Sequence, residues 1–333
     1  MKIIVAILNY NGKKWLKQFL PTVLQKSKEA EILVIDNASS DGSVDFLKQY
    51  FPSVSLVINE KNHGFAGGYN EGLKNIDGDY FVLLNSDVEI TNNWIMPVID
   101  LIEKTPTAVA AQPKILAYYD KEKFEHAGAA GGMLDKLGYP FCRGRIFHHT
   151  EKDTNQFEDS KEVFWATGAC LFIKVKTFKE HNGFDENFFA HMEEIDLCWR
   201  IKNNNEKVLY CSESTVYHVG GGTLSYMSPF KTYLNFRNSL FMIHKNYDGW
   251  LPKIIFIRLV LDGIAGAKFL FGGEFKNILS ILKAHFHYYA HIRTLNKQRK
   301  SLPKKNFLKL EGVYSKSIVW QFFALKKDKF KEL

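Results

Sequence analysis

The sequence predicts an α/β fold built on a parallel sheet, and three observations carry that expectation. Apolar runs at residues 3–8, 32–35, 56–58 and 80–84 lack polar alternation, as strands buried on both faces do. Stretches with helical spacing separate the runs. Three of the four runs end in polar residues, at Asn9-Tyr10-Asn11, Asp36-Asn37 and Asn85-Ser86-Asp87, where the carboxyl ends of parallel strands open onto a ligand crevice.

Each element follows in order. Residues 3–8 are too short for the apolar core of an export signal with its cleavage site, so they read as a first strand. After them Trp15, Leu16, Phe19, Leu20, Val23 and Leu24 recur every three or four residues, the stripe of a helix lying on a sheet. Asp41, Gly42 and Ser43 mark the start of a second helix. The glycine-rich segment 62–70 reads as a loop preceding a helix at 71–75, and Asn92 and Asn93 start a further one. Strand and helix alternate over the first hundred residues, which implies right-handed crossovers. From 106 to 163 the pattern loosens around Gly128, Gly131, Gly132, Gly138 and Gly144 and reads as loops and β-turns. A second ordered block runs from 163 to 222.

With 333 residues, 46% of them hydrophobic, the chain can bury one large domain and a smaller appendage. The four cysteines show no C-x-x-C pair, so reduced thiols in the cytoplasm are expected. The net charge of +8 hides an asymmetry: residues 1–230 carry 24 Lys and Arg against 30 Asp and Glu, whereas residues 231–333 carry 20 against 6. Within this basic tail, residues 251–273 are apolar but interrupted by Lys253, Arg258, Asp262 and Lys268, which excludes a membrane span. Aromatic and aliphatic residues interleaved with Lys and Arg from 254 to 289 read as interfacial helices on anionic lipid, the alternative being a helical cap on the main domain. The basic stretch 298–305 adds to the former. No nucleic-acid motif accompanies the charge, so nucleic acid is not expected as a partner.

Four constellations can carry chemistry. Asp87 follows a buried strand, where an acid can bind a divalent cation bridging nucleotide phosphates; capping a helix is its plainer role. Asn11 and Asn37, taken singly, read as turn or cap residues. Glu193, Glu194 and Asp196 put three acids into four positions beside bulky apolar residues, and burial with mutual repulsion raises carboxylate pKa values. That suits a general base. Asp196 and Arg200 fall one helical turn apart and read as a surface ion pair, whereas Glu193 and Glu194 have no basic residue at that spacing. His218, before Gly220, Gly221 and Gly222, can ligate a metal together with oxygen donors, or be structural. The segment 62–70 lacks the G-x-G-x-x-G and G-K-[ST] spacings, which argues against nicotinamide and P-loop chemistry.

These motifs, in their order, resemble glycosyltransferase family two, the inverting enzymes of the GT-A fold, and in particular its bacterial rhamnosyltransferase-like branch. The resemblance spans about residues 2–245, and includes segments 5–11, 34–42, 62–70, 83–87, 166–170, 183–189, 193–200 and 218–222. It implies a mixed, mostly parallel sheet flanked by helices. Residues 1–230 would be the catalytic domain, with a nucleotide-binding half (1–105) and an acceptor-binding half (106–230), and 231–333 a helical basic extension. It assigns Asn9, Tyr10, Asp36, Gly67, Asn70, Asn85 and Ser86 to the nucleotide, Asp87 and His218 to Mn2+ or Mg2+, and Glu194 with Glu193 to the base. Where relatives usually carry Asp in the second base position this chain has Glu194, one methylene longer, and Asn85 stands in place of the first acid of the usual D-x-D pair, as in many relatives. Gly168 and Trp165 are assigned to the acceptor, Trp165 either stacking on a sugar or filling the core.

The implied reaction is a single displacement from a nucleoside-diphosphate sugar, dTDP-rhamnose or a UDP-sugar, with inversion. The acceptor would be a glycan or lipid-linked hydroxyl, on the cytoplasmic face of the inner membrane. A non-catalytic sugar-nucleotide or membrane-binding protein of the same fold is the competing reading, and a nucleotidyltransferase a third.

Overall fold

The computed structural model describes residues 1–220 and 228–333; Gly221 and Gly222 of the run after His218 lie outside the described residues. In chain order the elements begin β1 (Ile3–Asn9), α1 (Lys13–Lys26), β2 (Glu31–Asp36), α2 (Ser43–Tyr50), β3 (Ser55–Ile58), α3 (Gly64–Leu73), β4 (Tyr80–Asn85), β5 (Val88–Ile90) and α4 (Met96–Lys104). Then come β6 (Ala108–Ala117), β7 (Gly132–Asp135), β8 (Pro140–Cys142), β9 (Arg145–Ile146), β10 (His149–Thr150), β11 (Lys161–Val163), β12 (Cys170–Lys174) and α5 (Val175–Glu180). The chain closes with α6 (Glu193–Asn203), β13 (Lys207–His218), α7 (Pro229–Asn246), α8 (Leu251–Phe271), α9 (Phe275–Ser301) and β14 (Val313–Tyr314).

The main sheet runs β11-β13-β6-β12-β4-β1-β2-β3, with β5 also paired to β13. β1, β2, β3 and β4 are mutually parallel, while β12 runs antiparallel to both β4 and β6. Side-chain parity explains why the runs lack polar alternation. Ile4, Ala6, Leu33, Ile35, Phe81 and Leu83 enter one core with α3, α6 and α7. Ile3, Val5, Ile7, Val34, Val82 and Leu84 enter another, under α1 and α4. Both faces are therefore dry.

Three expectations are corrected. The glycine-rich segment is mostly helix, α3 beginning at Gly64. Its glycines permit close packing: a Cβ on Gly68 would meet Asn37 at 2.9 Å, and one on Gly72 would meet Ile35 at 2.4 Å, so the helix lies nearly against the sheet backbone. The loose stretch after 106 holds β6, whose residues are buried from Ala108 to Leu116, and a second small sheet, β10-β9-β8-β7-β14. Pro113 sits inside β6, where it offers no N–H; opposite it β13 jumps in register from Cys211 to Thr215, a bulge that relieves the missing ladder bond. The helix expected at Asn92 begins only at Met96, because Asn93 adopts a left-handed turn (φ 53°).

The C-terminal helices are tied into this body. Asp196 is fully buried, not a surface residue: its carboxylate accepts from Arg200 Nε (2.9 Å), Lys245 Nζ (2.9 Å) and Asn246 Nδ2 (2.7 Å), so one charge joins α6 to α7. β14 pairs with β7, and the buried carboxylate of Asp135 accepts from Ile318 N at 2.8 Å. All four cysteines are buried and unpaired.

Candidate active site

The carboxyl ends of β1, β2 and β4 meet as expected, but their polar residues divide into supports and exposed groups. Asn9 is completely buried and donates through Nδ2 to Asp36 (2.8 Å) and Ser39 Oγ (3.1 Å). Asp36, equally buried, also accepts from Ser39 N at 2.8 Å. These two hold the β1 and β2 ends in register. Tyr10, 38% exposed, stands at the rim. Gly12 allows close packing, since a Cβ there would meet Asn9 Oδ1 at 2.5 Å and Ser86 Oγ at 3.3 Å; Ser86 therefore lies beside the end of β1. Asn70 is engaged elsewhere: it donates to Phe184 O (2.8 Å) and Glu186 (3.2 Å) and accepts from Phe184 N (3.0 Å). Gly67 faces His63 and Glu186, on that same side.

After Asp87 the chain turns into β5, which pairs with the end of β13 so that His218 lies opposite Val88. This ladder, with Val219 N donating to Asp87 O at 3.0 Å, brings together two residues 131 positions apart in sequence. His218 Nε2 is 3.2 Å from Asp87 Oδ1 and 3.3 Å from Asn85 Nδ2. Its Nδ1 is 3.1 Å from the carboxylate of Glu125. Burial disfavours the imidazolium, yet the charges of Glu125 and Asp87 outweigh it and lift the pKa to about 10. Glu125 itself, for all its burial, is held down to about 2 by that imidazolium and by the Ala127 N–H.

This donor set fits a divalent cation. A carboxylate and an imidazole nitrogen converge, and Glu125 holds the opposite ring nitrogen, the arrangement that orients ligating histidines. Among the described residues no group of three or more His, Cys, Asp or Glu side chains forms a closed cage. Two protein ligands suit a cation that completes its shell with substrate phosphates. Sequence reasoning missed Glu125, because nothing in its spacing links it to a residue so distant.

The acid pair opens α6, and the backbone leading to it is strained. Phe189, His191 and Met192 all have positive φ (64°, 70° and 73°), a conformation that costs each non-glycine residue about 1–3 kcal/mol. Asn238 of α7 holds it in place. Its fully buried amide lies 2.9, 2.8 and 2.7 Å from the carbonyl oxygens of Phe188, Ala190 and His191, and Arg237 donates to those of Asn187 and Phe188. Glu193 is 4% exposed; burial first, then the charge of Glu194, pushes its pKa far above the carboxylate range. Glu194 is more open and flanks Gly168, where a Cβ would lie 3.0 Å from Phe65 and 4.0 Å from Glu194. Burial raises its pKa to about 7, against the lowering effect of nearby backbone N–H groups. One oxygen of each carboxylate, Oε2, is buried without a hydrogen-bond partner among the described residues.

Gly168 also links the two halves, since Asn85 N donates to Ala169 O at 3.0 Å. Glu194 beside Gly168, and Asn85 with Asp87 and His218, thus lie on neighbouring segments joined at Ala169. Trp165 does not join them. It is 3% exposed, its Nε1 donates to Met133 O at 3.0 Å, and a Cβ on Gly132 would lie 2.1 Å from its ring. Of the two readings, a core role fits and a sugar-stacking role is corrected.

Comparison with known proteins bears on the family and the fold. The model of "Glycosyl transferase family 2" matches residues 4–181. A decaprenol-linked rhamnosyltransferase of Mycobacterium tuberculosis, N-acetylglucosaminyl-diphospho-decaprenol L-rhamnosyltransferase, is 25% identical over 230 residues, covering 64% of this chain and 75% of its own. The low-salt glycan biosynthesis hexosyltransferase Agl10 of Haloferax volcanii is 22% identical, covering 85% and 89%. Among solved structures, GalNAc-T7 with UDP, GalNAc and Mn2+ superposes with a TM-score of 0.58 at 18% identity, over 74% of this chain and 48% of that one. The Pyrobaculum calidifontis mannosyltransferase PcManGT with GDP-Man and Mn2+ gives 0.50 at 12% identity, over 90% and 87%. At such identities the structural likeness establishes the GT-A fold.

Proposed function

The chain belongs to glycosyl transferase family 2, and on that premise we propose that it transfers a sugar, with inversion, from a nucleoside-diphosphate sugar to a hydroxyl of a glycan or lipid-linked acceptor in cell-surface polysaccharide synthesis. The single observation that carries this reading is the Asp87–His218 pair, with Glu194, one of whose carboxylate oxygens has no hydrogen-bond partner among the described residues, on a neighbouring segment. The rhamnosyltransferase relative supports rhamnose as the transferred sugar and a lipid-linked acceptor, and the donor we propose is dTDP-rhamnose or a UDP-sugar.

The residues divide the work. Tyr10 and Ser86 border the nucleotide, while Asn9 and Asp36 fix the strand ends that shape its hollow. Asp87 and His218 would hold Mn2+ or Mg2+, with Glu125 orienting the imidazole. A divalent cation held there supplies positive charge that offsets the charge of the departing diphosphate. Glu194 accepts the proton of the acceptor hydroxyl as its oxygen attacks the anomeric carbon. Glu193, kept neutral by burial, adds no second charge against which Glu194 must ionise. A catalytically silent protein of the same fold would have no use for two buried acids on a strained loop.

A lipid-linked acceptor, as in the rhamnosyltransferase relative, and the basic residues 231–333 support a location at an anionic membrane surface, the cytoplasmic face of the inner membrane. The test is a panel of UDP, dTDP and GDP sugars titrated with Mn2+ by calorimetry and assayed for transfer. One donor should bind only with metal and be turned over, and Asp87→Ala should lose the metal-dependent binding. Metal-independent binding of every nucleotide sugar, with no turnover, would overturn the proposal.

A further inference from the structure

The α8–α9 hairpin presents its apolar side outward. On α8 the exposed residues Phe256, Val260, Ile264, Leu270 and Phe271 follow helical spacing along one face. On α9 Phe275, Leu279, Leu282, Phe286 and Tyr289 do the same, in strict steps of four and three residues. Meanwhile polar and ionisable side chains point inward, where they find partners. Asp262, 1% exposed, lies 3.0 Å from His285, and Arg258, 2% exposed, donates to Leu137 O and Ser239 Oγ. A helix pair bathed in water carries the reverse polarity.

The tip is shaped for penetration. Phe271 (90% exposed) and Phe275 (62%) flank a turn at Gly272 and Gly273, and nothing lies within 4 Å of where a Cβ on Gly273 would be. Lys268 Nζ is 5.1 Å from the Phe323 ring, which brings the exposed Trp320 segment alongside α8. No helix among the described residues is long and apolar enough to cross a membrane, so the hairpin would lie along a surface.

We infer that the outward face of α8 and α9 is a lipid-insertion surface, seated below the headgroups of an anionic bilayer with the Phe271–Phe275 tip deepest. This rests on the membrane contact proposed above and specifies the segment and mode. Charge complementarity selects lipid over a second copy of the chain. Lys253, Lys268, Lys276 and Lys283 are all exposed on these helices, and self-pairing would set like charges against one another, whereas an anionic bilayer meets both the lysines and the apolar stripe.

Sedimentation of the full-length protein with vesicles, without donor or acceptor, tests this. The protein should pellet with phosphatidylglycerol-containing vesicles, and a fraction should stay bound in high salt because insertion is not screened. Phe271→Ser combined with Phe275→Ser should lower partitioning about tenfold or more, leaving the melting temperature and transfer to a soluble acceptor unchanged. Equal partitioning of variant and wild type, complete release by salt, or a solution dimer dissolved by the same two substitutions would overturn the inference. Because binding is read separately from transfer, loss of one leaves the other interpretable.

Discussion

Glu193 and Glu194 are adjacent and chemically identical, yet their surroundings give them different work. Glu193 is buried, whereas Glu194 is partly exposed and lies beside Gly168. Its pKa of about 7 lies above the ordinary glutamate value of about 4.3, and only the ionised form can accept a proton. The rate of transfer at saturating metal should therefore fall as pH drops below about 7 and level off above it. A pH–rate profile checks this, and a limb near 4 would assign the proton to another group. The residues at strand ends were legible in the sequence because three polar clusters closed three apolar runs. Glu125 and Asn238 were not, because each acts on a residue distant in sequence, through contacts that only the folded chain creates.

At the scale of elements, β1 to β4 were legible because strands buried on both faces leave uninterrupted apolar runs. β6 was hidden by Gln112, Pro113 and Lys114, polar or ring-closed residues whose needs are met by the Gln112 contacts, the bulge in β13 and the ion pairs of Lys114 with Asp153 and Glu158. The glycines of α3 resembled a loop because glycine serves flexible turns and close packing equally. The strained approach to α6 depends on α7 in a way that predicts a phenotype. Asn238→Ala would leave the carbonyls of Ala190 and His191 without their buried donor and remove one of those to Phe188, at a cost of about 3 kcal/mol. Denaturant unfolding should show the loss, and kcat should fall more than donor affinity, because the loop presents Glu194 while the Asp87–His218 pair proposed for the metal sits at the β4–β5 turn and the end of β13.

Across the whole molecule, the charge break at residue 230 marks a change in surface more than a seam in the core. Lys245 and Asn246 of α7 satisfy Asp196 of α6, and β14 completes the small sheet. A chain ending at residue 230 should consequently lose about 3–5 kcal/mol from the disrupted Asp196 network alone and fail to give a cooperative thermal transition. A stable, active fragment would instead show that residues 1–230 fold on their own. Such long-range closure has no periodic signal in sequence, since its partners are a buried acid and a two-residue strand.

The most direct test of this account compares Glu194→Gln with the wild-type chain, measuring transfer to acceptor while donor and Mn2+ binding are followed by calorimetry. The amide keeps the shape and removes the base, so transfer should fall about a hundredfold to ten-thousandfold with donor and metal affinity unchanged. Transfer at the wild-type rate by Glu194→Gln would contradict the assignment of the base and the mechanism built on it.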